Sequence, residues 1–173
     1  MYPVFFRYIL TFLAASVICI FLNSCKNKDD APRLPEVLEL EKSGKITGPV
    51  GIGIAGKVSG EWRLYEKMKN NYSSGELARE YSKTGSLIPK IYIYLILWEN
   101  NWENVAVIEK DIGKFSGKKL LFFPGGCEGS EEPAAGIIEG IKQDLAFARL
   151  PLEEKLRRSA LLERIVLPEV SIP

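Results

Sequence analysis

Histidine is absent from all 173 residues. With it goes the imidazole on which Ser–His–Asp and Cys–His catalysis depend, and the usual nitrogen ligand of zinc. An excess of charge is also missing. The chain carries 23 Lys and Arg against 22 Asp and Glu, which leaves no basic footprint for a nucleic acid. The acidic doublets Asp29-Asp30, Glu131-Glu132 and Glu153-Glu154 lack the alternating acidic loop that holds calcium or magnesium. No catalytic residue, metal or cofactor is assigned.

Long apolar runs are scarce too, and the main one lies near the start. Arg7 supplies a positive charge, and Tyr8 to Leu22 carry none. A membrane-spanning helix needs roughly 20 apolar residues. Extending this run to Met1–Phe6 would bury Arg7 in hydrocarbon at high cost. The uncharged run closes on Leu22-Asn23-Ser24-Cys25, the layout of an export signal more than of a membrane anchor.

These residues resemble a bacterial lipoprotein signal. Leu22, Asn23 and Ser24 take the lipobox positions, and Cys25 is the residue that would be lipidated and become the first of the mature chain. The resemblance implies a signal peptide over 1–24 and anchoring through acyl chains, each buried methylene contributing about 0.8 kcal/mol. The patch Lys26-Asn27-Lys28-Asp29-Asp30 resembles the charged tether of Bacteroidetes lipoproteins. Lys26, where an aspartate would signal retention at the inner membrane, implies the outer membrane, on its periplasmic face or at the cell surface.

Removing residues 1–24 from 173 leaves 149, with 22 basic and 22 acidic side chains because Arg7 is the one charge lost. Of Cys19, Cys25 and Cys127, only Cys127 then remains a free thiol. The mature chain has no intramolecular disulfide or thiolate zinc site to rely on, so packing must hold it together.

Residues 25–60 read as a tether rich in proline and glycine. Gly51-x-Gly53-x-x-Gly56 spells a dinucleotide fingerprint, yet no strand leads into it and no helix opens on it. From Glu61 the pattern turns helical, with Trp62, Tyr65 and Met68 on one face and Asn70-Asn71 at the end. Ser73 and Glu76 form a capping-box pattern for a helix through Leu77, Ala78 and Tyr81. Ser86 caps a third helix, with Pro89 in its first turn. Ile91–Leu97 also suits a buried strand, but short connections to flanking helices favour a helix. Asn100 or Asn101 then caps a fourth helix through Ile112.

The segment Glu61–Leu97 resembles the HEAT-like helical-repeat proteins of Bacteroidetes: an aromatic-led helix, Ser73-Ser74-Gly75-Glu76-Leu77, then Ser86 to Leu97 with Lys90 at the family's arginine position and Tyr92 and Tyr94 as its aromatic pair. The resemblance implies a mainly α fold, a small helical bundle of HEAT-like antiparallel helix pairs over 61–167. It carries over no catalytic residue.

In the second half, Lys118–Phe123 reads as extended. Ala134–Ala148 reads as a helix whose Gly136 and Gly140 either weaken it or permit close helix contact. Pro151 opens a last helix with Leu152, Leu156, Leu161 and Ile165 inward and Arg157, Arg158 and Arg164 outward. Cys127 sits among glycines but has no base to activate it. The aromatics Trp62, Trp98, Trp102, Tyr72, Tyr92 and Tyr94 read as core. The expectation is a membrane-anchored, non-enzymatic interaction module of the cell envelope. Its partner would be an envelope protein, and Lys90, Arg157 and Arg158 are the candidate contact residues. The alternatives are a small-ligand-binding protein, or a hydrolase using carboxylates or Cys127.

Overall fold

The apolar run from Leu87 folds as a helix, Leu87–Glu99, in which every residue but Lys90 and Trp98 is buried. A helix apolar all round must be enclosed, and the rest of the chain encloses it. The computed structural model describes residues 32–49, 58–124 and 128–158. In chain order the elements are α1 (Pro35–Ser43), β1 (Ile46–Thr47), α2 (Gly60–Asn71), α3 (Ser74–Lys83), α4 (Leu87–Glu99), α5 (Val105–Gly113), β2 (Lys119–Phe123), β3 (Ser130–Pro133) and α6 (Ala134–Ala148). Residues 152–158 are also helical. The domain is mainly α, and α1, α2, α3, α5 and α6 all pack on α4.

The compact unit begins at Leu34, not at Glu61. Residues 34–47, expected in a tether, are part of the core. Pro35 opens α1, Glu36 and Lys42 complement its dipole, and Gly44 closes it in the left-handed region at φ 69°. Proline at the first helical turn and glycine just past the last is the ordinary asymmetry of helix ends. Val37, Leu40 and Ile46 are fully buried. Gly48 is required by proximity, because a Cβ there would lie 2.8 Å from the Pro124 carbonyl oxygen.

A small sheet in the order β1-β2-β3 closes one edge. The extended Lys118–Phe123 segment supplies β2. It pairs antiparallel with β3, Leu120 opposite Glu132, and parallel with β1, Ile46 opposite Phe122. The α2–α5 helices form the crossover between the parallel strands. Two residues make a short strand, and Tyr92 of α4 completes its pairing. The Tyr92 hydroxyl accepts from the Thr47 N–H at 2.9 Å and donates to the Thr47 carbonyl at 3.1 Å. Burial pushes that hydroxyl up to about 12, although the bonds to Thr47 pull the other way.

Several helix ends lie where the sequence places them. Ser73 and Glu76 form the expected capping box of α3; Ser59, expected in the tether, caps α2 by accepting from the Trp62 N–H at 2.9 Å. Three expectations are corrected. The helix after α4 starts at Val105 behind Asn104, because Asn100 and Asn101 form the turn and Asn101 takes φ 50°. Leu152 and Leu156 are 71% and 62% exposed, not inward. Gly136 and Gly140 permit no close helix contact, since a Cβ at either would meet nothing within 4 Å. Leu161, Arg164 and Ile165, and the end of the domain at 167, lie outside the described residues.

Two outcomes follow for stability. Tyr92→Phe strands a buried N–H and carbonyl of Thr47, and should cost about 1–3 kcal/mol in urea unfolding. Gly136→Ala and Gly140→Ala should each stabilise the domain by up to about 1 kcal/mol, read as a rise in Tm.

Candidate binding groove

In three places a tyrosine donates its hydroxyl to a carboxylate that is also bound by a lysine lying over the same tyrosine ring. Tyr65 donates to Glu99, which Lys69 reaches at 3.0 Å. Tyr81 donates to Asp111 at 3.0 Å, and Lys90 reaches the same oxygen at 3.3 Å. Tyr94 donates to Glu109 at 2.6 Å, with Lys142 at 3.1 Å. The ammonium groups stand 5.9, 4.7 and 4.9 Å from the centroids of the Tyr65, Tyr81 and Tyr94 rings, respectively. Arg149 adds a second cation to Glu99 at 2.7 Å.

Two of these clusters hold the ends of α4. Lys90 lies near its N-terminus and Glu99 at its C-terminus, each with the sign the helix dipole disfavours. Partners from other segments offset them. Burial opposes the Glu99 charge, but the bonds from Tyr65 and Lys69, with the charges of Lys69 and Arg149, hold its carboxyl below the usual range.

The cluster around Asp111 opens onto a groove of about 720 Å³. Tyr81 and Ala78 come from α3, and Lys90 from α4. Trp102 comes from the turn, and Val107, Ile108, Lys110 and Asp111 from α5, with Lys114 just beyond it. Val107, Lys110, Asp111 and Lys114 share a face of one helical stretch by their three- and four-residue spacing. The Trp102 N–H donates to the Leu97 carbonyl at 3.0 Å, fixing the turn so that its half-buried indole forms part of the groove wall. Val107 stands at the rim, 70% exposed.

Asp111 and Tyr81 are each held in one charge state at neutral pH. Hydrogen bonds from Lys114, Tyr81 and Lys90, with the charge of Lys90, overcome partial burial and pull the Asp111 carboxyl from 3.8 to about 2. Burial, then the bond to Asp111 and its negative charge, pushes the Tyr81 hydroxyl far above the ordinary tyrosine value. A group that transfers protons at neutral pH needs a pKa near 7, and neither has one. The arrangement is suited to gripping a ligand.

Of the residues singled out in the sequence, Lys90 lines this groove, but its side chain is only 18% exposed and is tied to Asp111. Arg157 and Arg158 are exposed on 152–158 and pair with Glu154 of the same helix, so neither joins Lys90. Leu22, Asn23, Ser24, Cys25, Cys127 and the Gly51–Gly56 pattern lie outside the described residues. Nothing in the sequence pattern marks Tyr81 and Asp111 as neighbours, since only folding brings α3 beside α5. The i,i+4 pair Tyr65–Lys69 and the i,i+3 pair Asp111–Lys114 are the local traces of the clusters.

Among the described residues no helix is long and apolar enough to cross a membrane, and no three His, Cys, Asp or Glu side chains could hold a metal ion. Comparison with protein-family models, with curated proteins and with solved structures finds no match to this chain.

Asp111 loses its proton more readily when folded than when unfolded. Its charge therefore stabilises the fold above pH ~4, and that contribution disappears as the pH falls towards 2. Asp111→Asn should lower stability at pH 7 and flatten the decline between pH 5 and pH 2, measured by urea unfolding at each pH. An unaltered slope would mean that Asp111 contributes nothing to the acid sensitivity.

Proposed function

We propose that this chain is a lipid-anchored protein of the cell envelope whose helical domain binds another envelope protein without catalysing a reaction. The groove around Asp111 carries this reading. It combines an apolar wall, three ammonium groups and a carboxylate held ionised, and neither Asp111 nor Tyr81 has a pKa suited to proton transfer. Anchoring rests on the Leu22-Asn23-Ser24-Cys25 pattern, with acyl chains on Cys25 holding the domain at the outer membrane. The HEAT-like spacing of Glu61–Leu97 supports the same view, because packed helices offer side-chain surfaces for protein contact. A second reading, a small-ligand site, is favoured by the groove volume of about 720 Å³, which falls in the range of small-molecule pockets.

Metabolic palmitate labelling and membrane fractionation test the anchor. Wild-type protein should take up label and sediment with membranes, while Cys25→Ala should lose the label. Label that persists in Cys25→Ala overturns the lipoprotein assignment. Crosslinked pull-down from membranes should recover a partner in stoichiometric amount. A small molecule recovered in place of a protein would favour the second reading.

A further inference from the structure

We propose that the groove between α3, α4 and α5 seats an acidic peptide segment of the partner, in which carboxylates accompany one large apolar side chain. This rests on the protein-binding reading above and adds the chemistry of what is bound. The first argument is charge. Lys90, Lys110 and Lys114 line the groove, against the single carboxylate of Asp111. Asp111 is already shared among three donors: Oδ2 accepts from Tyr81 and Lys90, and Oδ1 from Lys114. One negative charge therefore answers three positive ones, in a chain whose total balance is +1. An ammonium group has three N–H donors, and Lys90 and Lys114 each direct one at Asp111. Lys110 is exposed and forms no ion pair among the described residues. The groove thus keeps unspent donors and an uncompensated positive charge.

The second argument is the apolar wall beside those lysines. Trp102 and Val107 lie at one end of the α5 face, and Lys110 and Lys114 follow at one and two turns. At about 1.5 Å of rise per residue, the lysines lie roughly 5 and 10 Å along the helix from Val107. An extended peptide advances about 3.3 Å per residue. A peptide with an apolar side chain on Trp102 and Val107 would bring acidic residues within about three positions onto both lysines. A basic or purely apolar segment would leave the ammonium groups unpaired against it.

The test uses the full-length chain in detergent and a capped peptide of glutamates around one central leucine, carrying a neutral fluorophore, with binding read by anisotropy. The acidic peptide should bind, and the affinity should fall as salt is raised. Lys110→Glu with Lys114→Glu should weaken it about tenfold or more, while Lys110→Arg with Lys114→Arg should keep it. Lys110→Glu alone, which leaves the Lys114–Asp111 bond in place, should lose affinity in the same direction. A lysine-substituted peptide that binds equally well, or an affinity indifferent to charge reversal, overturns the proposal. So does a glycine-centred peptide that matches the leucine one, since the apolar wall would then have no role. In the membrane pull-down, a partner retained by the charge-reversed variant sinks this inference but leaves the protein-binding reading standing. A wild-type chain that retains no protein sinks that reading itself.

Discussion

A helix that offers almost nothing to water has to be walled in, and α4 imposes that condition on this chain. From Leu87 to Leu97 its side chains are buried on all sides except at Lys90. An exposed apolar side chain forfeits roughly 1.5–3 kcal/mol that burial would contribute, so leaving one face of α4 open would cost several such terms. The surrounding helices and the short sheet are the walls. This explains why α1, which precedes the first strongly patterned helix, cannot be a free leader: Val37 and Leu40 pack in the same core cluster as α4. It also explains why a two-residue strand persists, because Tyr92 projects from α4 and supplies the hydrogen bonds that a longer neighbour would otherwise give.

Apolar contact alone would leave such a helix free to slide or rotate, since Ile, Leu and Tyr repeat along it. The polar groups at its ends remove that freedom. Lys90 donates to Asp111, which also accepts from the Tyr81 hydroxyl, and Glu99 accepts from the Tyr65 hydroxyl and is shared with Lys69 and Arg149. Ion pairs of this kind add little net stability, because desolvation cancels most of the attraction. Breaking one is a different matter, since it leaves a charge without its partner. The clusters therefore penalise wrong registers more than they reward the right one.

Elements set by local chemistry were legible in the sequence. The capping box at Ser73 and Glu76, the helix over Leu87–Trp98, the extended Lys118–Phe123 and the helix Ala134–Ala148 all depend on residues a few positions apart. The helix Pro35–Ser43 carried equally local signals in Pro35, the Val37–Leu40 spacing and Gly44, but the surrounding prolines and glycines masked them. The strands β1 and β3 could not be read, because one is two residues long and the other is Ser130-Glu131-Glu132-Pro133, a sequence without β preference that pairs because β2 lies beside it. The outward turn of Leu152 and Leu156 was equally hidden. Periodicity marks an apolar stripe but not whether anything covers it. The groove was the least legible feature, since Tyr81, Lys90 and Asp111 are brought together only by packing.

Neutral composition concealed the electrostatics in the same way. A total balance near zero means that the chain carries no large net charge. It says nothing about how charges are distributed. Around Tyr81 three lysines face one aspartate. Around Tyr94, in a smaller hollow between α5 and α6, Glu109 and Glu139 face the single Lys142. The two hollows carry opposite local charge and share α5, whose successive residues Glu109 and Lys110 point one into each. Averaging along the sequence cancels these residues, while the helix separates them by turning about 100° per residue. A chain of nearly zero net charge can therefore present a distinctly basic groove, and that local excess, not the total, is what a partner would meet.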